Sequence, residues 1–138
     1  MPAYWLLKTE PSVYAFSDLQ REGETIWDGI SNNAALKHMR GMSPGDLALI
    51  YHTGDERRAV GLAEITTGPF PDPQLANDKL VVVRVRVLRA LNRPVQLADV
   101  KADPFFTGFA LVREPRLSVL PVTLEQWNKL MDMAGEEG

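Results

Sequence analysis

Alternating valines in the second half of the chain constrain the fold more than any other feature. Four valines recur at every second position, and they are Val81, Val83, Val85 and Val87. Arg84 and Arg86 stand between them. Because successive side chains of a strand point to opposite faces, this period predicts a strand over 79–91 with one apolar and one basic face. The chain is therefore expected to contain a sheet in which the valine face of this strand packs on the core.

Turn signals divide much of the remaining chain into further strands. Ser-Pro-Gly-Asp at 43–46 and Gly-Asp-Glu-Arg-Arg at 54–58 bound an apolar run, which predicts a β-hairpin with strands over 47–53 and 59–66. Shorter apolar runs predict strands over 4–7 and 117–122. The Gly-Pro-Phe-Pro-Asp-Pro stretch at 68–73 is expected to lie outside the sheet, because proline cannot donate a ladder hydrogen bond.

Helix signals lie between these strands. The 17–20 segment has the form of a capping box and predicts a helix of one to two turns closed by Gly23, and 27–29 is predicted to be a turn. A second helix is predicted over 33–40, capped by Ser31 or Asn32, and a third over 97–103. A capping box at 123–126 predicts a final helix. Strands of mixed length joined by short helices predict an α+β domain with a small curved sheet or barrel.

Length and composition limit the class of protein. With 138 residues the chain suffices for one domain, and its net charge of -3 argues against a protein that holds duplex DNA mainly by charge. The chain has no cysteine, begins without a signal-like segment and carries no apolar stretch long enough to cross a bilayer. We therefore predict a cytoplasmic protein with no membrane partner.

Familiar catalytic signatures are missing from the sequence. There is no phosphate-cradling loop, no pair of histidines at helical spacing and no glycine-flanked nucleophilic serine. His38 and His52 are the only histidines, so a metal site would need carboxylates to complete it. We predict no enzyme, no cofactor and no metal.

Trp27 is the first candidate for ligand binding. It precedes Asp28 and Gly29, where glycine lets a flat ligand approach closely, and Asn32 follows within one turn. The indole face is suited to stack on a base while Asn32 reads its edge. Packing of Trp27 in the core beside a helix cap is the alternative, because tryptophan is highly buried on average.

Polar residues at two strand ends are further candidates. Lys8, Thr9, Glu10 and Ser12 cluster where the first strand meets a loop, and the residues alone favour the alternative of a salt-bridged loop with a Ser or Thr turn. Tyr51 and His52 are adjacent in a strand, so only one of them can face a given pocket.

Three arginines are candidates for phosphate contacts beside a bound base. They are Arg84, Arg86 and Arg116. A solvated strand face that discourages edge pairing is the alternative for the first two.

Taken together, the segments resemble the EVE domain family, whose fold is similar to PUA and YTH domains. The matching segments are Tyr-Trp-Leu-Leu-Lys-Thr-Glu-Pro-Ser at 4–12, Trp-Asp-Gly-Ile at 27–30 with Asn32, 45–52, Val-Gly-Leu-Ala-Glu at 60–64, Phe-Pro-Asp-Pro at 70–73, 97–104, 116–119 and 121–123. The resemblance implies that 1–138 is a single PUA-like pseudo-barrel of five or six strands flanked by short helices.

The resemblance also implies a function. It places a pocket around Trp27, Asn32, the 8–12 loop and the Tyr51–His52 strand, which would hold a modified base flipped from DNA or RNA. Relatives in the ASCH group imply an alternative, a small amidohydrolase acting on modified nucleosides through Lys8, Thr9 and Glu10. A protein-interaction module is a third alternative.

The chain departs from the family pattern beside this pocket. Ser31 stands where the family often has an arginine, and Asn33 stands where it often has a tyrosine. The tryptophan that frequently opens the long strand is missing near Lys79 and Leu80. A choice of ligand different from that of other members is therefore expected.

Overall fold

Six strands form a single mixed sheet in the computed structural model, which describes residues 2–136. The strands are β1 (Tyr4–Thr9), β2 (Glu24–Trp27), β3 (Leu47–His52), β4 (Arg58–Pro71), β5 (Val81–Gln96) and β6 (Val119–Val122). Their order across the sheet is β2-β5-β4-β3-β1-β6. Only the β1–β3 pair among these is parallel. The predicted α+β architecture is confirmed.

Short helices flank the sheet. They are α1 (Phe16–Glu22), α2 (Asn33–Arg40), α3 (Leu97–Ala102), a 3₁₀ turn (Pro104–Phe106), α4 (Ala110–Arg113) and α5 (Leu124–Met133). Within residues 2–136, every helix is too short or too polar to cross a membrane. The 3₁₀ turn and α4 were not predicted, because neither extends over enough residues to show a helical period.

The valine alternation has the predicted consequence in β5. Val81, Val83 and Val85 are buried and Val87 is partly buried, whereas Arg86 is exposed. The strand runs further than predicted, to Gln96, because its last residues pair with the start of β4 at Arg58 and Ala59. The core therefore forms against this face, as expected from the sequence.

The expectation that 68–73 lies outside the sheet is wrong for 68–71, whereas 72–73 do lie outside it. β4 continues to Pro71, where Phe70 pairs with Val82 and Pro71 pairs with Val81. The antiparallel partner β3 begins at Leu47, opposite Glu64, so the later residues of β4 have a neighbour on one side only. The pairing of β4 with β5 also shifts register between Ile65 and Phe70. The sheet can therefore include the prolines, because proline is tolerated at sheet edges and bulges.

The first helix begins two residues earlier than the predicted capping box requires. Ala15 is its N-cap, and the Asp18 carboxylate accepts a hydrogen bond from the Ala15 backbone N–H at 2.8 Å. Ser17 therefore lies inside the helix instead of capping it. Gly23 ends the helix with a φ of 81°, as predicted.

The other two predicted caps are confirmed. The Asn32 side chain accepts from the Ala35 N–H at the start of α2. Thr123 and Gln126 exchange hydrogen bonds at the start of α5.

Strand β2 was not predicted. Its four residues show no alternation, and 27–29 was expected to be a turn. Pairing with β5 makes the segment a strand, since Thr25 faces Val85 and Trp27 faces Val83. This pairing directs Trp27 toward the valine face.

A close contact seats α1 on the sheet. The Phe16 ring lies over Gly61 of β4, where an added Cβ would come within 2.1 Å of Phe16 Cζ. Only glycine allows this approach of ring to backbone. The contact fixes the loop that precedes α1, which forms one side of the candidate site.

Candidate functional site

A cleft of about 530 Å³ lies where β1 ends. Its lining comes from the end of β1, the loop before α1, strand β2 and the turn after it, and consists of Lys8, Thr9, Glu10, Val13, Tyr14, Thr25, Ile26, Trp27, Asp28, Gly29 and Ile30. The volume is in the range of small-molecule and base pockets. These segments converge in one cleft although three strands separate β1 from β2 in the order of the sheet.

Two aromatic side chains form perpendicular walls in the cleft. Trp27 is 6% exposed. The Tyr14 ring stands edge-on to its indole, with centroids 6.2 Å apart and an interplanar angle of 88°. Trp27 therefore packs in the core and also lines the cleft, so its two sequence interpretations are compatible.

Tyr14 was missed by the sequence interpretation. It is an isolated aromatic in a loop, and only its contact with Trp27 gives it a place in the cleft. Burial, together with the hydrogen bond to the Glu22 carboxylate, raises the pKa of Tyr14 to about 12. The phenol therefore stays protonated at neutral pH and keeps its hydrogen bond to Glu22.

Of the predicted polar residues at the end of β1, Lys8 and Glu10 line this cleft, whereas Ser12 does not. The Lys8 Nζ donates to the Pro115 carbonyl at 3.0 Å, and burial lowers the pKa of this lysine. Glu10 accepts hydrogen bonds from the backbone N–H and hydroxyl of Ser12 at 3.2 and 3.1 Å, and from Thr53 at 3.4 Å. The Glu10 carboxylate is thus held in place and retains further lone pairs for a ligand.

Tyr51 and His52 lie on the adjacent strand and face opposite sides, as predicted. Tyr51 is buried with its ring centroid 5.8 Å from Lys8 Nζ. Neither residue is part of the cleft lining.

His52 is held by the protein through both ring nitrogens. The Phe16 backbone N–H donates to its Nε2 at 3.0 Å. Its Nδ1 therefore carries the proton and donates to the Glu56 carboxylate at 2.9 Å. This hydrogen bond lowers the pKa of Glu56.

Asn32 lies outside the Trp27 cleft. Its side-chain oxygen caps α2 at 3.0 Å from the Ala35 nitrogen. The residue lines a separate depression of about 300 Å³ together with Glu114, Pro115 and Arg116. Lys8 connects the two concavities through its hydrogen bond to Pro115.

The three candidate phosphate contacts differ in their surroundings. Arg84 Nε lies 3.7 Å from a Glu24 oxygen, and Arg86 is paired with Glu64. Arg116 is exposed and forms no ion pair with any residue of the 2–136 segment.

A smaller depression adjoins the cleft beside the positions at which the chain departs from the family pattern. Ser31 and Leu80 line this depression of about 150 Å³, which shares Gly29 and Ile30 with the cleft.

In the part of the chain that the structure describes, no three acidic or histidine side chains are placed to hold a metal ion.

The six-stranded mixed sheet, its short flanking helices and the cleft at the end of β1 define an α+β domain of the PUA-like group. The chain belongs to the EVE domain family, whose sequence profile matches residues 3–133.

Individual relatives span nearly the whole chain. The solved structure of Rpa0253 from Rhodopseudomonas palustris is 41% identical, covers 96% of this chain and 93% of its own, and superposes with a TM-score of 0.92. Human thymocyte nuclear protein 1 is 24% identical over 99% of this chain and 76% of its own length. A crystal structure of human THYN1 protein in complex with 5-methylcytosine-containing DNA is 26% identical, covers 99% of both chains and has a TM-score of 0.87.

Proposed function

We propose that this protein binds a modified nucleobase of a DNA strand in the cleft between Trp27 and Tyr14, without chemical conversion of the base. The observation that carries the proposal is the pair of perpendicular rings at the wall of a base-sized cleft. Flat π-faces bind bases by stacking, and the two orientations contact a base on its face and at its edge.

The charges at the cleft favour a base with an exocyclic amino group. Lys8 contributes one ammonium, whereas Glu10 and Asp28 contribute two carboxylates. A carboxylate accepts a hydrogen bond from the amino group of cytosine, and phosphate is repelled from the same position. The site is therefore suited to hold cytosine-like bases inside and the phosphates outside.

The relative bound to DNA supports the same class of ligand. Human THYN1 protein is seen with 5-methylcytosine-containing DNA and shares this fold over 99% of the chain in that crystal structure. We take modified DNA as the first polymer to test and RNA as the second. A cytoplasmic location and a single functional domain over 1–138 remain part of the proposal.

The proposed binding is modest in strength. Stacking on an aromatic ring contributes about 1–3 kcal/mol per base. A buried methyl group adds about 0.8 kcal/mol, which corresponds to about a four-fold preference. Strong selectivity therefore requires the polar groups of the cleft, since a mismatched base leaves a buried donor or acceptor unpaired.

The test is a fluorescence titration of the purified protein with short single strands that carry one cytosine, 5-methylcytosine or thymine. We expect saturable quenching by the 5-methylcytosine strand and loss of this response in Trp27→Leu. Trp127→Phe is the control, because Trp127 is similarly buried but stacks on Tyr4, and neither residue lines the cleft.

Other outcomes would contradict the proposal. No response to any DNA or RNA strand removes base binding and favours a protein-interaction module. Release of a deaminated or deacylated product from a modified nucleoside, abolished by Lys8→Ala, would establish the amidohydrolase instead.

A further inference from the structure

Two arginines lie on either side of Lys8, the cationic residue that lines the Trp27 cleft, because β1 runs between β3 and β6 in the sheet. Lys8 Nζ is bonded to the Pro115 carbonyl and lies 5.8 Å from the Tyr51 ring. Arg116 follows Pro115 directly and lies in the depression on that side. On the other side of Lys8, beyond Tyr51, the chain turns through 53–57 into β4.

Arg57 ends this turn in an unusual backbone conformation. Its φ is 48°, in the left-handed region that non-glycine residues rarely adopt. The neighbouring structure holds it there, since the Leu97 N–H donates to its carbonyl at 2.9 Å. Strained residues fixed in this way cluster at ligand sites, which makes Arg57 a candidate for function.

The surroundings of Arg57 leave its charge available. It is exposed and lines a depression of about 310 Å³ with Lys101 and two acidic residues, Asp55 and Glu56. Glu56 in the same depression is already bonded to His52 and Arg58. Among residues 2–136, Arg57 has no ion-pair partner.

Arg57 lies near Tyr51, the tyrosine beside Lys8. Burial raises the pKa of Tyr51, and the nearby Arg57 guanidinium partly opposes this effect. Arg57 therefore lies within electrostatic range of the tyrosine that Lys8 contacts. Register supports this placement, because Arg58 pairs with His52 and Tyr51 pairs with Lys8.

The arginines of β5 are less suited to bind phosphate. Arg84 and Arg86 lie beside Glu24 and Glu64, so a phosphate would have to displace a carboxylate. A protein with a net charge of -3 must concentrate its available cations locally to hold a polyanion. Arg57, Lys8 and Arg116 form such a local group of cations.

We propose that Arg57, Lys8 and Arg116 form a row that holds the phosphodiester backbone of a single strand on both sides of the base in the cleft. This inference rests on the proposed function and adds to it the path of the polymer. Arg57 and Arg116 bind phosphates on either side of the flipped nucleotide, and Lys8 lies between them at the cleft mouth.

The test is the salt dependence of binding for a short single strand with one central 5-methylcytosine. Each phosphate contact of a single strand contributes about 0.7 to the slope of log affinity against log salt concentration. We expect Arg57→Gln and Arg116→Gln each to reduce the slope by about this amount, and the double variant by about twice as much. Arg86→Gln is the charge-matched control and is expected to leave the slope unchanged.

Free 5-methyldeoxycytidine separates this inference from the proposed function, because it has a base but no phosphate. We expect its affinity to be the same for wild type, Arg57→Gln and Arg116→Gln. Unchanged slopes in both variants, with nucleoside binding intact, would overturn the phosphate row alone. Equal losses for nucleoside and strand would also overturn it, since the arginines would then support the cleft. If wild type binds neither probe, both proposals are wrong.

Discussion

At the scale of single residues, the environment of His52 decides whether this histidine binds a base or supports the fold. Both ring nitrogens are occupied by Phe16 and Glu56, and the residue is buried. A base would have to compete with these internal partners. We therefore expect His52 to act on the shape of the cleft through α1, whose first N–H it binds.

Replacement of His52 is expected to destabilise the fold. His52→Ala leaves the buried Phe16 N–H without an acceptor, which costs about 1–3 kcal/mol. Chemical denaturation monitored by circular dichroism measures the change in the free energy of unfolding. His38→Ala is the control, because His38 only packs near Trp5, with ring centroids 6.4 Å apart. Equal effects of the two substitutions would show that the hydrogen bond has no particular importance.

Glu10 is expected to select the base. Thymine and 5-methylcytosine carry the same methyl group but differ in that cytosine has an amino donor where thymine has a carbonyl acceptor. Wild type should prefer a 5-methylcytosine strand to a thymine strand by roughly ten-fold, within the 1–3 kcal/mol of a good base contact. Glu10→Gln should bind both strands similarly, because an amide can donate as well as accept. Retention of the full preference in Glu10→Gln would assign selection to another group.

At the scale of elements, the seating of α1 controls one wall of the cleft. Phe16 begins this helix and packs over Gly61 in β4, while Tyr14 precedes it by two residues. Movement of the Phe16 ring would therefore move Tyr14 relative to Trp27. The close ring-to-backbone contact links the packing of the sheet to the geometry of the site.

A methyl group at position 61 is expected to break this contact. Gly61→Ala places a Cβ 2.1 Å from Phe16 Cζ, and overpacking of this kind costs about 1–3 kcal/mol or more. Thermal unfolding measures the loss, and weaker base binding should accompany it. Gly108→Ala is the matched control, since no atom lies within 4 Å of the added Cβ. A Gly61→Ala protein as stable as the control would contradict the proposed seating.

The sequence was informative about elements where the local signal agrees with the tertiary environment. Valine alternation in β5 and the caps of α2 and α5 are such cases, and each was confirmed. Strand β2 and the proline-containing end of β4 were not predicted correctly, because both depend on pairing with β5. Pairing between distant segments overrides local propensity at these positions.

At the scale of the whole molecule, the site could be predicted only in part. The polar loop after β1 and Trp27 carry local signals, and the structure brings them into one cleft. Tyr14 and Arg57 carry none, because the significance of Tyr14 comes from its contact with Trp27 and that of Arg57 from the effect of its charge on Tyr51. Asn32 is near Trp27 in sequence, yet capping of α2 holds it in the neighbouring depression.

Stability at acid pH is expected to depend on Glu56. Its pKa in the folded protein is below the ordinary 4.5, first because His52 donates a hydrogen bond to it. A depressed folded pKa gives a stabilisation that is complete above the unfolded pKa and is lost as pH falls through the folded value. The free energy of unfolding should therefore decline below about pH 4.5, and this part of the decline should be smaller in Glu56→Gln. Identical pH profiles of the two proteins would contradict this assignment.

The most direct test of the central claim observes the three tryptophan indole N–H signals by NMR while a strand with one 5-methylcytosine is added. Substitution Trp27→Leu assigns the Trp27 signal. The Trp5 indole donates to Asp46 and Trp127 stacks on Tyr4, so both should be unaffected. We predict that the Trp27 signal alone moves and saturates with added strand. A stationary Trp27 signal, or equal shifts of all three, would contradict base binding in this cleft.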